Sequence, residues 1–164
     1  RVNAVYKVEP LERYDLGEEK LHLIYYETNW HHFLDCGVMC YFHPYRYEHM
    51  AEALSGATGL EYSIHDVLAV GERANTLGRL FNYREGFTQA DDKVPRRFMK
   101  AFEEGPIAGK ALSPEMFERL LRRYYELMGW DRETGYPLLE RLEALGLSEL
   151  LTDIPFLNKE VPIS

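Results

Sequence analysis

A chain of 164 residues, 46% apolar and 13% aromatic, is long enough for one domain with a sizeable core and too apolar for a disordered segment. Its formal charge of -8 argues against a general nucleic-acid surface, because phosphate neutralisation needs clustered Lys and Arg, so nucleic acid is not an expected partner. No run reaches the roughly 18–20 apolar residues of a membrane span, RVNAVYKVEPLERY lacks the apolar core of an export signal, and two cysteines spaced C-x3-C form no disulfide framework; the expectation is a cytoplasmic, membrane-free protein with reduced thiols.

VNAVYKV is the one segment that reads as a short strand. From Gly17 to Leu34, residues Leu21, Ile24, Tyr25, Thr28 and His32 recur at three- and four-residue steps behind Glu18 and Glu19. This predicts an amphipathic, mostly buried helix with acidic residues at its positive end. After Pro44, Tyr47, Met50, Ala51 and Leu54 share a face, and the run stops between Gly56 and Gly59, where glycine accepts a left-handed cap. Ser63 and Asp66, related to a capping box, then open a helix carried by Ile64, Val67, Leu68, Gly71, Ala74, Leu77 and Phe81 for about five turns.

Gly86, Pro95, Gly105, Pro106 and Gly109 divide the following stretch into a long ordered excursion, with one helical turn expected from Pro95 to Met99. Ser113-Pro114-Glu115 supplies an N-cap, a first-turn proline and an acid; Met116, Phe117, Leu120, Leu121, Tyr124 and Leu127 form the apolar face of a helix ending near Gly129. Pro137 opens a short helix through Leu145, closed by Gly146, and the last residues read as a docked tail. The fold class is all-α, an irregular multi-helix domain over residues 1–164 with about five helices and a long ordered loop.

His32, Cys36, Cys40 and His43 stand in the spacing H-x3-C-x3-C-x2-H, four atoms that zinc would accept. Three readings remain open on spacing alone: buried core residues, a self-contained zinc site, or part of a site completed elsewhere. Other candidates are weaker. Gly71 and Gly78 sit within a helical pattern and suit close helix approach better than a phosphate cradle. Arg73, Arg79 and Arg84 read as a solvated or salt-bridged face, Asp91-Asp92 as solvated turn residues without EF-hand spacing, and Tyr124, Tyr125 and Trp130 as core. No Ser-His-Asp or H-E-x-x-H grammar marks a catalytic residue, so the catalytic acid or base is unknown.

GERANTLGRLFNYREGFTQADDKVPRRF, Gly71 to Phe98, resembles the C-terminal signature of the tungsten-containing aldehyde ferredoxin oxidoreductase family. TGLEYSIHDVLAVGER before it and FERLLRRYYELMGWDRETGYPLLERLEALGL after it are similar to the family's flanking runs, so the likeness covers roughly 25–147, leaving 1–17 and 148–164 peripheral. DCGVMC matches the family's D-x-x-[GLIV]-[LIVM]-C at Asp35, Val38, Met39 and Cys40, with Gly37 one place before the glycine often found there.

The resemblance implies the C-terminal helical part of an enzyme that oxidises an aldehyde to a carboxylic acid and passes electrons to ferredoxin. It implies a tungsten (or molybdenum) bis-pterin contacted by Asp35, with Met39 beside it, and a [4Fe-4S] cluster whose fourth ligand is Cys40. Cys36, outside the pattern, is expected to be packing. A cubane cluster wants four thiolates, so the N-terminal remainder of the enzyme is the expected partner, with ferredoxin, a small aldehyde and room for a homodimer; the chain alone is expected to hold no cofactor and to be inactive. The alternative is a non-catalytic helical binding module with a local zinc site at His32, Cys36, Cys40 and His43. A third reading keeps the family but assigns its core a reaction other than simple aldehyde oxidation, such as reduction of an activated aromatic ring.

Overall fold

The computed structural model describes residues 11, 12, 15 and 17–150; VNAVYKV and most of the expected tail lie outside them. Among the described residues run five α-helices: α1 (Glu19–Cys36), α2 (Tyr47–Thr58), α3 (Ile64–Arg84), α4 (Pro114–Met128) and α5 (Leu139–Ala144). Their only β-pairing is two isolated bridges, Phe102 with Ala108 and Trp130 with Pro137. The all-α class and the long ordered loop are as the sequence predicts.

Local chemistry sets most boundaries. Ser63 Oγ accepts from the Asp66 N–H (3.3 Å) while the Asp66 carboxylate accepts from the Ser63 N–H (2.7 Å), a capping box built with aspartate. Those bonds hold the Asp66 carboxyl below the usual carboxylate range. Ser113 Oγ accepts from the Met116 N–H (3.1 Å) ahead of α4, and α2 and α4 close on Gly59 (φ 75°) and Gly129 (φ 69°).

Two boundaries differ from expectation. The excursion holds a second turn of 3-10 helix, Gln89–Asp91, before the expected one at Arg96–Met99; its cause is the Asp91 carboxylate accepting from the Thr88 N–H (2.9 Å). The last helix starts at Leu139 and not at Pro137. Pro137 is bridged to Trp130, and the Leu138 N–H donates to the Gly129 carbonyl (3.1 Å), which keeps both residues extended.

The expected face of α1 is only part of its contact surface. Leu21, Asn29, Trp30, Phe33 and Leu34 are its buried residues, while Ile24 is exposed. One side packs Trp30, Phe33 and Leu34 with Tyr47, Met50, Ala51, Val67 and Leu68 of α2 and α3. The other side sends Tyr25 to Tyr125, Met128 and Trp130. A helix wedged between two neighbours buries more than one stripe, which blurs its periodicity. A further core cluster of Leu80, Leu142, Leu145 and Leu147 ties α3 to α5.

Gly71 sets the α1–α3 distance. A Cβ at this position would fall 1.7 Å from the Asn29 carbonyl oxygen, so the two backbones touch where a side chain would stand. Gly78 has no such role, because a Cβ there meets nothing within 4 Å.

Candidate functional site

The family-like stretch of α3 builds a polar hub. Arg79, its side chain 10% exposed, pairs in bidentate fashion with Asp92 (Nη1 to Oδ1 2.9 Å, Nη2 to Oδ2 2.7 Å) and donates from Nε to the Gly135 carbonyl (3.0 Å). The Tyr125 hydroxyl donates to the same Asp92, and the guanidinium lies 5.1–5.3 Å from the ring centres of Tyr83, Tyr125 and Trp130. Burial opposes the Arg79 charge, but the bonds and charge of Asp92 outweigh it and lift its pKa. Burial, then the bond to Asp92, pushes the Tyr125 phenol strongly up. One arginine thus fastens the excursion and the Gly135 turn to α3. The expected solvated Asp92 is a structural ion pair instead.

A second buried network joins α1, α3 and α5. Glu72 is buried, accepts from the Tyr25 hydroxyl (3.0 Å) and pairs with Arg141. Beside the hub lies a cavity of about 410 Å³ lined by His32, Asn75, Arg79, Phe81, Tyr124 and Trp130. Much of its polar wall is already engaged, since Asn75 Nδ2 donates to the Tyr124 hydroxyl (3.3 Å).

The turn from α1 to α2 is built differently. The Val38 N–H bonds to the Asp35 carbonyl (3.0 Å) and the Met39 N–H to the Leu34 carbonyl (2.9 Å), the paired bonds with which a helix ends on a left-handed residue. That residue is Val38, φ 53°. A β-branched side chain there costs roughly 1–2 kcal/mol of backbone energy. Gly37, one place earlier, is right-handed (φ -84°) and serves another purpose: a Cβ on it would fall 2.6 Å from Met39 Cε. Met39 therefore folds over Gly37 and rests, half-buried, against the first core cluster.

The side chains around this turn face outward. Asp35, Cys36, Val38, Cys40, Tyr41 and Phe42 are all exposed, with Val38 at 94% and Phe42 at 98%. Asp35 accepts from the Tyr41 hydroxyl, which raises the phenol's pKa, and leaves its second carboxylate oxygen for another donor. The Tyr41 ring sits 5.0 Å from that of His31. Tyr41 was not among the candidates; the six-residue separation gives no periodic signal, because the bond spans a turn.

Cys36 and Cys40 are both free and exposed; within this chain Cys36 does not pack against the core as expected, because it is the last residue of α1, while half-buried His32 one turn earlier still lines the cavity. Among the described residues, no three His, Cys, Asp or Glu side chains converge to hold a metal ion. His32, Cys36, Cys40 and His43 are thus not gathered into the local zinc site of the alternative reading, because the turn at Val38 ends the helical spacing that would align them. The donor set fits a composite site: a free exposed thiol can give one thiolate of the four a cubane needs, and an exposed carboxylate can accept from a cofactor N–H. Among the described residues, no helix is long and apolar enough to cross a membrane.

Residues 2–147 match the family model described as aldehyde ferredoxin oxidoreductase, domains 2 and 3. The chain is 31% identical over 150 residues to the tungsten-containing aldehyde ferredoxin oxidoreductase of Thermococcus kodakarensis, covering 89% of this chain and 24% of that protein. It is 30% identical over 148 residues to the enzyme of the same name from Pyrococcus furiosus, covering 88% and 23%. Its fold is similar, with a TM-score of 0.70 and 21% identity over 96% of this chain and 25% of the other, to the active site complex BamBC of benzoyl coenzyme A reductase bound to 1,5-dienoyl-CoA. The chain spans about a quarter of the length of the relatives it matches. A helical fold, a signature running unbroken from α3 into the Arg79–Asp92 loop, and these matches together place the chain in the aldehyde ferredoxin oxidoreductase family, in the region of its domains 2 and 3.

Proposed function

We propose that this chain forms one wall of a composite tungstopterin and iron-sulfur site in an enzyme that oxidises an aldehyde to a carboxylic acid and delivers the electrons to ferredoxin. The observation that carries the reading is the outward presentation of Asp35 and Cys40 from one turn, each at its place in the family motif. Asp35, steadied by the Tyr41 hydroxyl, accepts a hydrogen bond from the pterin. Cys40 supplies one cluster thiolate. Met39 keeps the two in register by seating the turn on the core, and offers the pterin only its exposed edge.

The pterin-held metal, tungsten or molybdenum, would supply the oxidising centre; this chain's part is to position and to exclude water. The other cluster thiolates and the substrate pocket belong to the remainder of the enzyme, so the chain alone assembles no cluster and turns over no aldehyde. Free exposed thiols fit a cytoplasmic, reducing setting. The likeness to relatives named as aldehyde ferredoxin oxidoreductases, about 30% identical, favours aldehyde oxidation over a reaction like that of the benzoyl coenzyme A reductase, which is 21% identical.

The test is the Asp35→Ala variant of the full-length holoenzyme, followed by tungsten and pterin content and by aldehyde oxidation with a dye acceptor. Lowered pterin occupancy with unchanged iron supports the reading. Full pterin occupancy with unchanged activity, or aldehyde oxidation by the 164-residue chain alone, overturns it.

A further inference from the structure

We propose that Val38 and Phe42 are the apolar contacts through which the α1–α2 turn seats on the polypeptide bearing the other cluster thiolates, and that they close water off from the cluster reached by Cys40. The inference rests on the reading of Cys40 given above.

Val38 carries the first argument. It holds a left-handed backbone (φ 53°) that glycine would adopt without strain, and its side chain is 94% exposed. The fold described here therefore bears the backbone cost and recovers no burial. Such a residue is explained by a contact outside this fold. Phe42 carries the second, independent argument. Its ring is 98% exposed, more than any other large apolar side chain among the described residues, and with half-exposed Tyr41 it follows Cys40 in the chain as Val38 precedes it. The exposed thiol is thus bracketed in sequence by apolar side chains.

The occupant follows from chemistry and length. A cubane needs three thiolates besides Cys40, and about three-quarters of each relative lies beyond the span that this chain matches. A second copy of this chain would bring only one further cysteine at the motif's place, its own Cys40, because Cys36 lies outside the motif. The polypeptide that carries the remaining thiolates is the partner that satisfies both the thiol and its apolar collar.

The collar has a predictable electrical effect. A cluster held by four thiolates is more negatively charged when reduced, and water stabilises the more charged form more strongly. Excluding water therefore lowers the reduction potential, and it also slows loss of iron to solvent.

The experiment uses the full-length holoenzyme with Phe42→Ala and, separately, Val38→Gly. The cluster's midpoint potential is read by EPR-monitored titration, and iron release to a chelator is timed. The expected result for each variant is a more positive potential and severalfold faster iron release, with cluster content near normal at the start. Potential and release rate unchanged in both variants overturn the proposal. Should Phe42→Ala not assemble, Val38→Gly, which eases the backbone, decides alone. An unaltered cluster in Cys40→Ser would instead overturn the assignment of Cys40, a result separable from failure of the collar.

Discussion

The Arg79 hub and the Asp35 to Phe42 turn treat their polar and apolar groups in opposite ways. At the hub, Arg79 donates to Asp92, Gly135 and Tyr125 and lies against three aromatic rings, so the charge and its partners satisfy one another inside the fold. At the turn, Asp35 has one internal partner, two thiols are free, Val38 is in a left-handed conformation and Phe42 lies in solvent. The hub is complete within the chain. The turn leaves such groups open, which is why the proposed contact with a second polypeptide is placed there.

Substitutions separate the two regions. Gly71→Ala has the largest expected effect: its Cβ would fall 1.7 Å from the Asn29 carbonyl oxygen, so α1 and α3 must part, and a loss of at least about 3 kcal/mol is expected by denaturant titration, the upper range of overpacking. Arg79→Ala follows, at roughly 3 kcal/mol, because it leaves Asp92, 28% exposed at its side chain, without its cation. At the turn the sign reverses. Val38→Gly should raise stability by about 1 kcal/mol, since relief of left-handed strain outweighs the entropy that glycine adds. Phe42→Ser should change it by less than about 0.5 kcal/mol. A loss at Val38 as large as that at Arg79 would break the contrast.

The smallest effect is one of pH. Bonds from the Thr134 hydroxyl and from the Thr134 and Glu133 N–H groups hold the Asp131 carboxyl below its ordinary value. Its contribution is present above the ordinary carboxylate pKa of about 4 and is lost as pH falls from there through the depressed value. The melting-temperature difference between the native chain and Asp131→Ala should therefore shrink below pH 4 and be constant near neutrality.

What the sequence made legible follows the range of the interactions. The caps at Ser63 and Ser113 and the left-handed glycines at Gly59 and Gly129 act over a few residues, and each was readable. The pairing of Arg79 with Asp92 spans 13 positions through an irregular loop, and that of Glu72 with Arg141 is longer still; neither has a period to detect. The Cys36 assignment failed for another reason. It rested on Cys36 lying outside the family pattern, which carries no information on which way a residue at the end of α1 faces. Val38 was the subtlest case: the displaced glycine at Gly37 was visible, but its consequence required the backbone angle.

The central claim is that Cys40, and not Cys36, gives one thiolate to a cluster shared with the rest of the enzyme. EPR spectra and iron content of the reduced full-length holoenzyme, compared between Cys40→Ser and Cys36→Ser, test it directly. The account predicts a lost or altered cluster signal with Cys40→Ser and an unchanged one with Cys36→Ser. A native signal in Cys40→Ser, or equal damage from both substitutions, would contradict it.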